Sequence, residues 1–307
     1  MIGIKAIASY IPETVRNNYQ QAESLGEKTS FIDNKIGAIS LPIMNEEEDT
    51  SDLAVFAVLK LLEENNVSAE QIECLVIVTQ NPDGSGLPHT SAIVHNKLGL
   101  SKKVAAFDLS LGCSGYVYGL TVIKGFMEVA NLKCGILVTA DPYSKIINPE
   151  DKNTTLLFGD AATATLLDDE PKLSLGRSIF ATDGSGANNL QVKQNVLHMN
   201  GRQVFNFAAI EAPKQIAMLL KSEGIESTDI DCYILHQGSK FIVKTISSKF
   251  EEVSSRFLCD IKKTGNTVSS SIPLLLEKII ADMNINTILI SGFGVGLSWA
   301  SMILKRH

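Results

Sequence analysis

An α/β fold built from two similar halves is what this 307-residue sequence predicts. Short apolar runs of strand character alternate with runs of helical spacing, which predicts a mixed, largely parallel sheet covered by helices. A pattern also repeats. Ser68–Gln80 (SAEQIECLVIVTQ) and Ser227–Gln237 (STDIDCYILHQ) each pass from a polar helix start through an acidic residue and a cysteine into an apolar strand ending in Gln. A second echo sets Lys133–Lys145 followed by Ala161–Leu167 against Asn286–Gly292 followed by Trp299–Leu304. The repeat puts the boundary near Asp168–Lys172, giving an N-terminal half over residues 1–168 and a C-terminal half over 169–307.

The elements can be justified in chain order. Leu53–Leu62 carries apolar residues at Leu53, Phe56, Ala57 and Leu61, which is helical spacing. Val55, Val58, Leu59 and Leu62 are apolar too, so this helix reads as buried on most sides. Asp49, Thr50 and Ser51 precede it as cap candidates. Ser68 and Gln71 have capping-box spacing. Cys74–Thr79 and Val104–Leu109 read as strands. A helix follows from about Ser114, with Tyr116, Leu120, Ile123 and Met127 on its apolar side. Gly159-Asp160, ahead of the strand at Ala161, reads as a structural turn. Cys232–Leu235 is a strand, and Gln237-Gly238-Ser239-Lys240 opens a helix. Lys262–Pro273 (KKTGNTVSSSIP) is a loop leading into a helix with Pro273 in its first turn.

Bulk properties exclude several classes. At 45% hydrophobic residues the chain can bury a large core. A net charge of −7 excludes a global basic surface for nucleic acid. The five cysteines are odd in number, widely spaced and free of CxxC pairs, which argues against a disulfide framework and a zinc site and fits a reducing compartment. Cys74, Cys134, Cys232 and Cys259 read as inert core thiols. The opening MIGIKAIASYIPET lacks the basic and long apolar regions of a signal peptide, so a cytoplasmic location is expected. Met283–Leu304 has no charged residue and is long enough to span a bilayer. Ser291-Gly292-Phe293-Gly294-Val295-Gly296 interrupts it, and two buried strands joined by a glycine turn explain it better.

Three junctions carry candidate chemistry. Cys113 lies between a strand and a helix, flanked by Gly112 and Gly115. Small neighbours would let a substrate reach the sulfur, and a helix N-terminus favours the thiolate. A core cysteine packed beside glycines would look the same. His236 ends a strand at the side where open α/β sheets collect ligands, and its imidazole can donate a hydrogen bond or move a proton. Asn266, in Gly-Asn-Thr, offers an amide that polarises a carbonyl without being deprotonated; turn asparagines are also common. The Gly292–Gly296 turn is either a tight hairpin or a source of backbone N–H groups for an oxyanion.

Taken together, these segments resemble the β-ketoacyl-acyl-carrier-protein synthase III family of the thiolase superfamily. The matching pieces are Ala106-Phe107-Asp108 with Gly112-Cys113-Ser114-Gly115, then Phe158-Gly159-Asp160-Ala161, then Asn200-Gly201-Arg202-Gln203-Val204-Phe205. His236-Gln237, Gly265-Asn266-Thr267 through Ile272-Pro273, and Gly292-Phe293-Gly294 through Trp299 complete the ordered set. The resemblance implies a thiolase-like fold of two pseudo-symmetric α/β halves in five layers (α-β-α-β-α). It also implies a decarboxylative Claisen condensation. Cys113 would take an acyl group from a thioester, and His236 and Asn266 would stabilise the enolate formed from malonyl-carrier protein. The N–H groups of Cys113 and Val295 would hold the oxyanion. Substrates would be thioesters of coenzyme A or phosphopantetheine, with no metal or organic cofactor and with a homodimer as the assembly.

Departures from the family pattern fall at the substrate grip. Phe31 stands where the family has an adenine-stacking Trp, and Lys35 where it has an Arg; lysine stacks less well than guanidinium. Lys152 takes the later Arg position. Gly238, Ser239 and Phe241 replace Ala, Asn and Arg. Leu87 stands for a Phe that lines the partner's acyl pocket, Val295 for a common Gly, and Phe293 joins the substrate-binding set. These changes suggest a specialised relative that takes its first acyl group from a carrier protein or an unusual thioester. An acidic carrier protein would dock on the basic excess over Lys240–Lys263, a stretch that also reads as a solvated face. Competing readings are an acyltransferase to an alcohol or amine, a non-catalytic partner subunit, and a cysteine hydrolase; Asn266 disfavours the first, and the intact trio the second.

Overall fold

The computed structural model describes residues 1–307. Ten strands form the main sheet: β1 (Gly3–Tyr10), β2 (Cys74–Val78), β3 (Ala105–Leu109), β4 (Cys134–Ala140), β5 (Ala162–Asp168), β6 (Leu173–Thr182), β7 (Cys232–Leu235), β8 (Phe257–Leu258), β9 (Thr287–Gly294) and β10 (Ser298–Arg306). Their order is β8-β7-β9-β10-β6-β1-β5-β4-β2-β3. The first five strands and the last five therefore share one arrangement, 3-2-4-5-1 within each block. The blocks meet where β1 pairs antiparallel with β6, Gly3 opposite Ser174 and Ile4 opposite Leu173.

Helices make the other layers. α1 (Thr50–Asn65) and α2 (Thr90–Lys97) cover the outer face of the first block, where Leu53, Val58 and Leu61 pack on Leu75, Ile77 and Ile136. α4 (Gly201–Glu223) and α5 (Lys240–Ser247) cover the second, with Ile216 and Leu219 against Tyr233, Leu235 and Leu289. Between the blocks lie α3 (Gly115–Ala130) and α6 (Ser271–Ile279). Tyr116, Leu120, Ile123 and Met127 share that central core with Ile272, Leu275 and Ile290. Complete burial of each such side chain contributes about 1.5–3 kcal/mol, so this middle layer anchors both blocks. The result is the five-layered α-β-α-β-α architecture.

Local chemistry sets several boundaries. Asp49 caps α1 and forms a capping box with Asp52. Ser68 and Gln71 form theirs on a short 3₁₀ turn. Met283–Leu304 is β9 and β10 with their turn, and no helix is long and apolar enough to cross a membrane.

Three expectations are corrected. The sheet is mixed, but only β2–β3, β2–β4, β7–β8 and β7–β9 pair in parallel. The chain passes from β4 to β5, and from β9 to β10, without a full crossover helix, and such returns pair antiparallel. In α1, Phe56 and Leu59 are exposed, so its outer face stays open. Cys259 is exposed rather than a core thiol, because it lies just past the two-residue edge strand β8.

Candidate active site

Cys113 stands in the turn between β3 and α3 and is 4% exposed. The turn is tight: the Gly115 N–H donates to Gly112 O at 2.7 Å. A Cβ on Gly115 would lie 2.4 Å from Val78, and one on Gly112 2.7 Å from Val295. These glycines therefore admit the protein's own packing rather than a substrate, which corrects the access reading above. Ser114 Oγ meets Ser298 Oγ at 2.9 Å, tying this turn to the start of β10.

The glycine turn after β9 closes over the sulfur. The backbone N–H groups of Val295 and of Cys113 itself lie near enough to pull the thiol's pKa down. A Cβ on Gly294 would lie 2.6 Å from Sγ. Gly294→Ala is thus expected to lower acylation of Cys113 by about 100-fold or more, measured by the rate of adduct formation; a near-normal rate would contradict this packing.

Burial dominates the thiol's ionisation, pushing it up to about 12 against the opposing pull of the two N–H groups. The resting sulfur is a neutral thiol. Alkylation of Cys113 by iodoacetamide should rise about tenfold per pH unit between pH 7 and 9. A rate that stays flat across that range would mean the thiolate already exists at rest.

His236 follows β7, is 3% exposed, and meets Phe293 edge-on with ring centroids 5.6 Å apart. Its Nδ1 lies 2.8 Å from Ser271 Oγ, which also lies 3.0 Å from Val268 O. Desolvation lowers its pKa to about 3, so the ring is neutral throughout the physiological range. Asn266, 4% exposed, sits in the loop before α6. Its Oδ1 accepts from Val268 N at 2.9 Å, which leaves the amide NH₂ to act as a donor. The Gly159 N–H donates to Asn266 O at 3.1 Å, so the Phe158-Gly159 turn helps hold that loop.

Cys113, His236 and Asn266 line one cavity of about 360 Å³. Phe31, Lys35, Ser239 and Phe293 line it too, as do Phe205 and Phe241. Lys35 does not lie free beside Phe31: its Nζ rests 3.4 Å from the Phe241 ring centroid, and Phe241 stacks on Phe205 at 5.0 Å. Ser239 caps α5 by accepting from Ile242 N. Lys152 is absent from the lining, and its ammonium pairs with Glu27. Leu87 is 93% exposed and also lies away from the cavity. Ser271, Asp141 and Tyr143 surround the site and were not singled out from sequence. The run Ser269-Ser270-Ser271 beside Asn266 was the available signal.

A buried thiol at a strand-to-helix turn thus shares a largely apolar cavity with a neutral imidazole and an amide, in a fold of the thiolase-like condensing-enzyme class. Residues 107–184 match the family model of 3-oxoacyl-[acyl-carrier-protein] synthase III, and residues 220–306 match the model of its C-terminal region. The chain is 33% identical to β-ketoacyl-[acyl-carrier-protein] synthase III 1 of Halalkalibacterium halodurans, with 99% of this chain and 98% of that protein covered. It is 31% identical to the synthase III of Clostridioides difficile, again over 99% and 98%. A 2.1 Å crystal structure of a 3-oxoacyl-(acyl-carrier-protein) synthase III superposes with a TM-score of 0.92 at 32% identity, covering 99% of each chain. The synthase III of Aquifex aeolicus superposes with the same TM-score at 26% identity, covering 99% of this chain and 100% of that one. The chain belongs to the β-ketoacyl-[acyl-carrier-protein] synthase III family, a group of acyl-transferring condensing enzymes.

Proposed function

We propose that the protein joins an acyl thioester to malonyl-carrier protein through an acyl-Cys113 intermediate. The observation that carries this reading is the single, largely apolar cavity that Cys113, His236 and Asn266 line together. Sγ attacks the thioester carbonyl, its proton ends on the departing pantetheine sulfur, and the N–H groups of Cys113 and Val295 hold the oxyanion. The pantetheine thiol departs, leaving acyl-Cys113. The malonyl thioester then loses carbon dioxide, and the enolate oxygen accepts hydrogen bonds from Asn266 Nδ2 and from His236 Nε2–H. That tautomer requires Ser271 to turn its one hydroxyl hydrogen from Val268 O, 3.0 Å away, to Nδ1 at 2.8 Å. The enolate carbon attacks the acyl carbonyl, a carbon–carbon bond forms, and Sγ leaves. On this reading residues 1–168 supply the nucleophile and 169–307 the two enolate donors.

Substrates enter on a phosphopantetheine arm along Phe31, Phe205 and Phe241. Exposed Lys244, Lys249, Lys262 and Lys263, none in a salt bridge, offer an acidic carrier protein its docking face. The assembly is a cytoplasmic homodimer: β3 is a sheet edge with one neighbour, and Leu87 stands exposed on the β2–α2 connection, free to reach a second copy's acyl pocket. The test is incubation with an acyl thioester and malonyl-carrier protein. Equal yields of carbon dioxide and 3-oxoacyl product support the reading, and product acyl ester or amide without carbon dioxide would replace it with simple acyl transfer.

A further inference from the structure

Three consecutive hydroxyls on the Asn266 loop each reach a different part of the site. Ser269 Oγ donates to Asp141 Oδ2 at 2.7 Å. Ser270 Oγ lies 3.1 Å from Ala161 O and 2.8 Å from Thr139 Oγ1. Ser271 Oγ meets His236 Nδ1. Thr139, Asp141 and Ala161 belong to β4 and its return to β5, in the block whose turn carries Cys113. His236 belongs to the other block. The run therefore spans the two blocks at the point where their catalytic groups must meet.

Asp141 is the unexpected member. It is a carboxyl 1% exposed, and the condensation has no use for it. It also accepts from Gln80 N at 2.7 Å and lies 3.3 Å from Thr79 Oγ1. A carboxyl is costly to bury, and it stays buried only where fixed donors surround it. Its titratable neighbours are Cys113 and Tyr143, whose ionisation its charge opposes. Burial pushes the Asp141 carboxyl up to about 7. Between Asn266 and Ser269 the backbone is strained: Val268, fully buried and β-branched, holds φ +51°. Strain of that kind persists where flanking contacts over-determine the chain. Here the contacts are Val268 N to Asn266 Oδ1 on one side and Ser269 to Asp141 on the other.

We propose that Asp141 and Ser269 are positioning residues for condensation, locking the Asn266 loop onto the Cys113 block so that both enolate donors face the acyl-sulfur in fixed register. This rests on the reading given under Proposed function.

The test separates the two half-reactions in the full-length enzyme. Acylation of Cys113 is followed by intact mass. Condensation is followed in a single turnover of preformed acyl-enzyme with malonyl-carrier protein. Ser269→Ala is expected to slow condensation at least tenfold, since displacements of about 1 Å can cost about 100-fold. Acylation should stay within about twofold, because Cys113 and its N–H groups lie outside the loop. Ser269→Thr, which restores the hydroxyl, should recover most of the loss. A melting-temperature scan separates loss of register from loss of fold. Equal losses in both half-reactions, or none in either, would overturn the proposal while leaving the condensing function intact. A wild-type enzyme that forms no acyl-Cys113, or releases no carbon dioxide from the malonyl thioester, overturns the functional reading and this inference with it.

Discussion

Cys113→Ala is expected to abolish condensation, lowering kcat by at least about 10⁴-fold. No other cysteine can take over. Among the cysteines only Cys113 lines the cavity; Cys74 and Cys232 are buried in the central core. The cavity itself should survive, since removing one buried sulfur costs roughly 1–2 kcal/mol. The variant should therefore keep its melting temperature within a few degrees. It should still bind malonyl thioester, whose enolate donors are untouched. Residual condensation within tenfold of wild type would show that the acyl group does not pass through this sulfur.

Asn266→Ala and His236→Ala should each slow condensation by about 10²–10³-fold, as for the loss of one donor to a developing oxyanion. Acylation of Cys113 should change far less, because the proposed oxyanion donors of that step are backbone N–H groups, which both substitutions leave in place. A stopped assay would then find acyl-enzyme accumulating. Asn266 carries a second consequence. Its Oδ1 holds the Val268 N–H, so Asn266→Asp keeps that acceptor while replacing the donor NH₂ with an oxygen. That variant should be at least as impaired as alanine. His236 stays neutral because burial holds its pKa near 3. The condensation step should consequently show no inflection near pH 6.5, the ordinary histidine value. An acid limb there would mean that the ring titrates and acts as a base or a charged donor. Equal loss of both half-reactions in Asn266→Ala would remove its assignment to the enolate.

The parts of this site that could be read from sequence are those marked by local pattern. Cys113 at a strand-to-helix turn, His236 at a strand end and Asn266 ahead of a proline-bearing helix are junctions written within a few neighbouring residues. The two similar halves were legible for the same reason, since the polar start, cysteine and apolar strand recur on a short window, whereas the five-strand order within each half was not. Long-range contacts were not legible. Pairing of β5 with β1 joins residues more than 150 positions apart, and nothing local forces its antiparallel sense. Lys152 looked like a substrate contact by position, yet Glu27 claims its ammonium. Lys35 likewise settles on Phe241, far along the chain. Ser269 and Asp141 meet across a separation of 128 residues, and their bond is invisible to any local reading. The glycines around Cys113 carried an ambiguity of a different kind. Room for substrate and room for the protein's own packing select the same residue, and only the distances decide for packing.

The central claim is that Cys113 carries the acyl group. Its most direct test is the intact mass of the protein after incubation with a panel of acyl thioesters on coenzyme A and on carrier protein, with Cys113→Ala run alongside. A mass gain of one acyl group is expected, mapped to the peptide containing Cys113, absent from the variant and discharged on adding malonyl-carrier protein. No gain with any donor, or a gain that persists in Cys113→Ala, would contradict it.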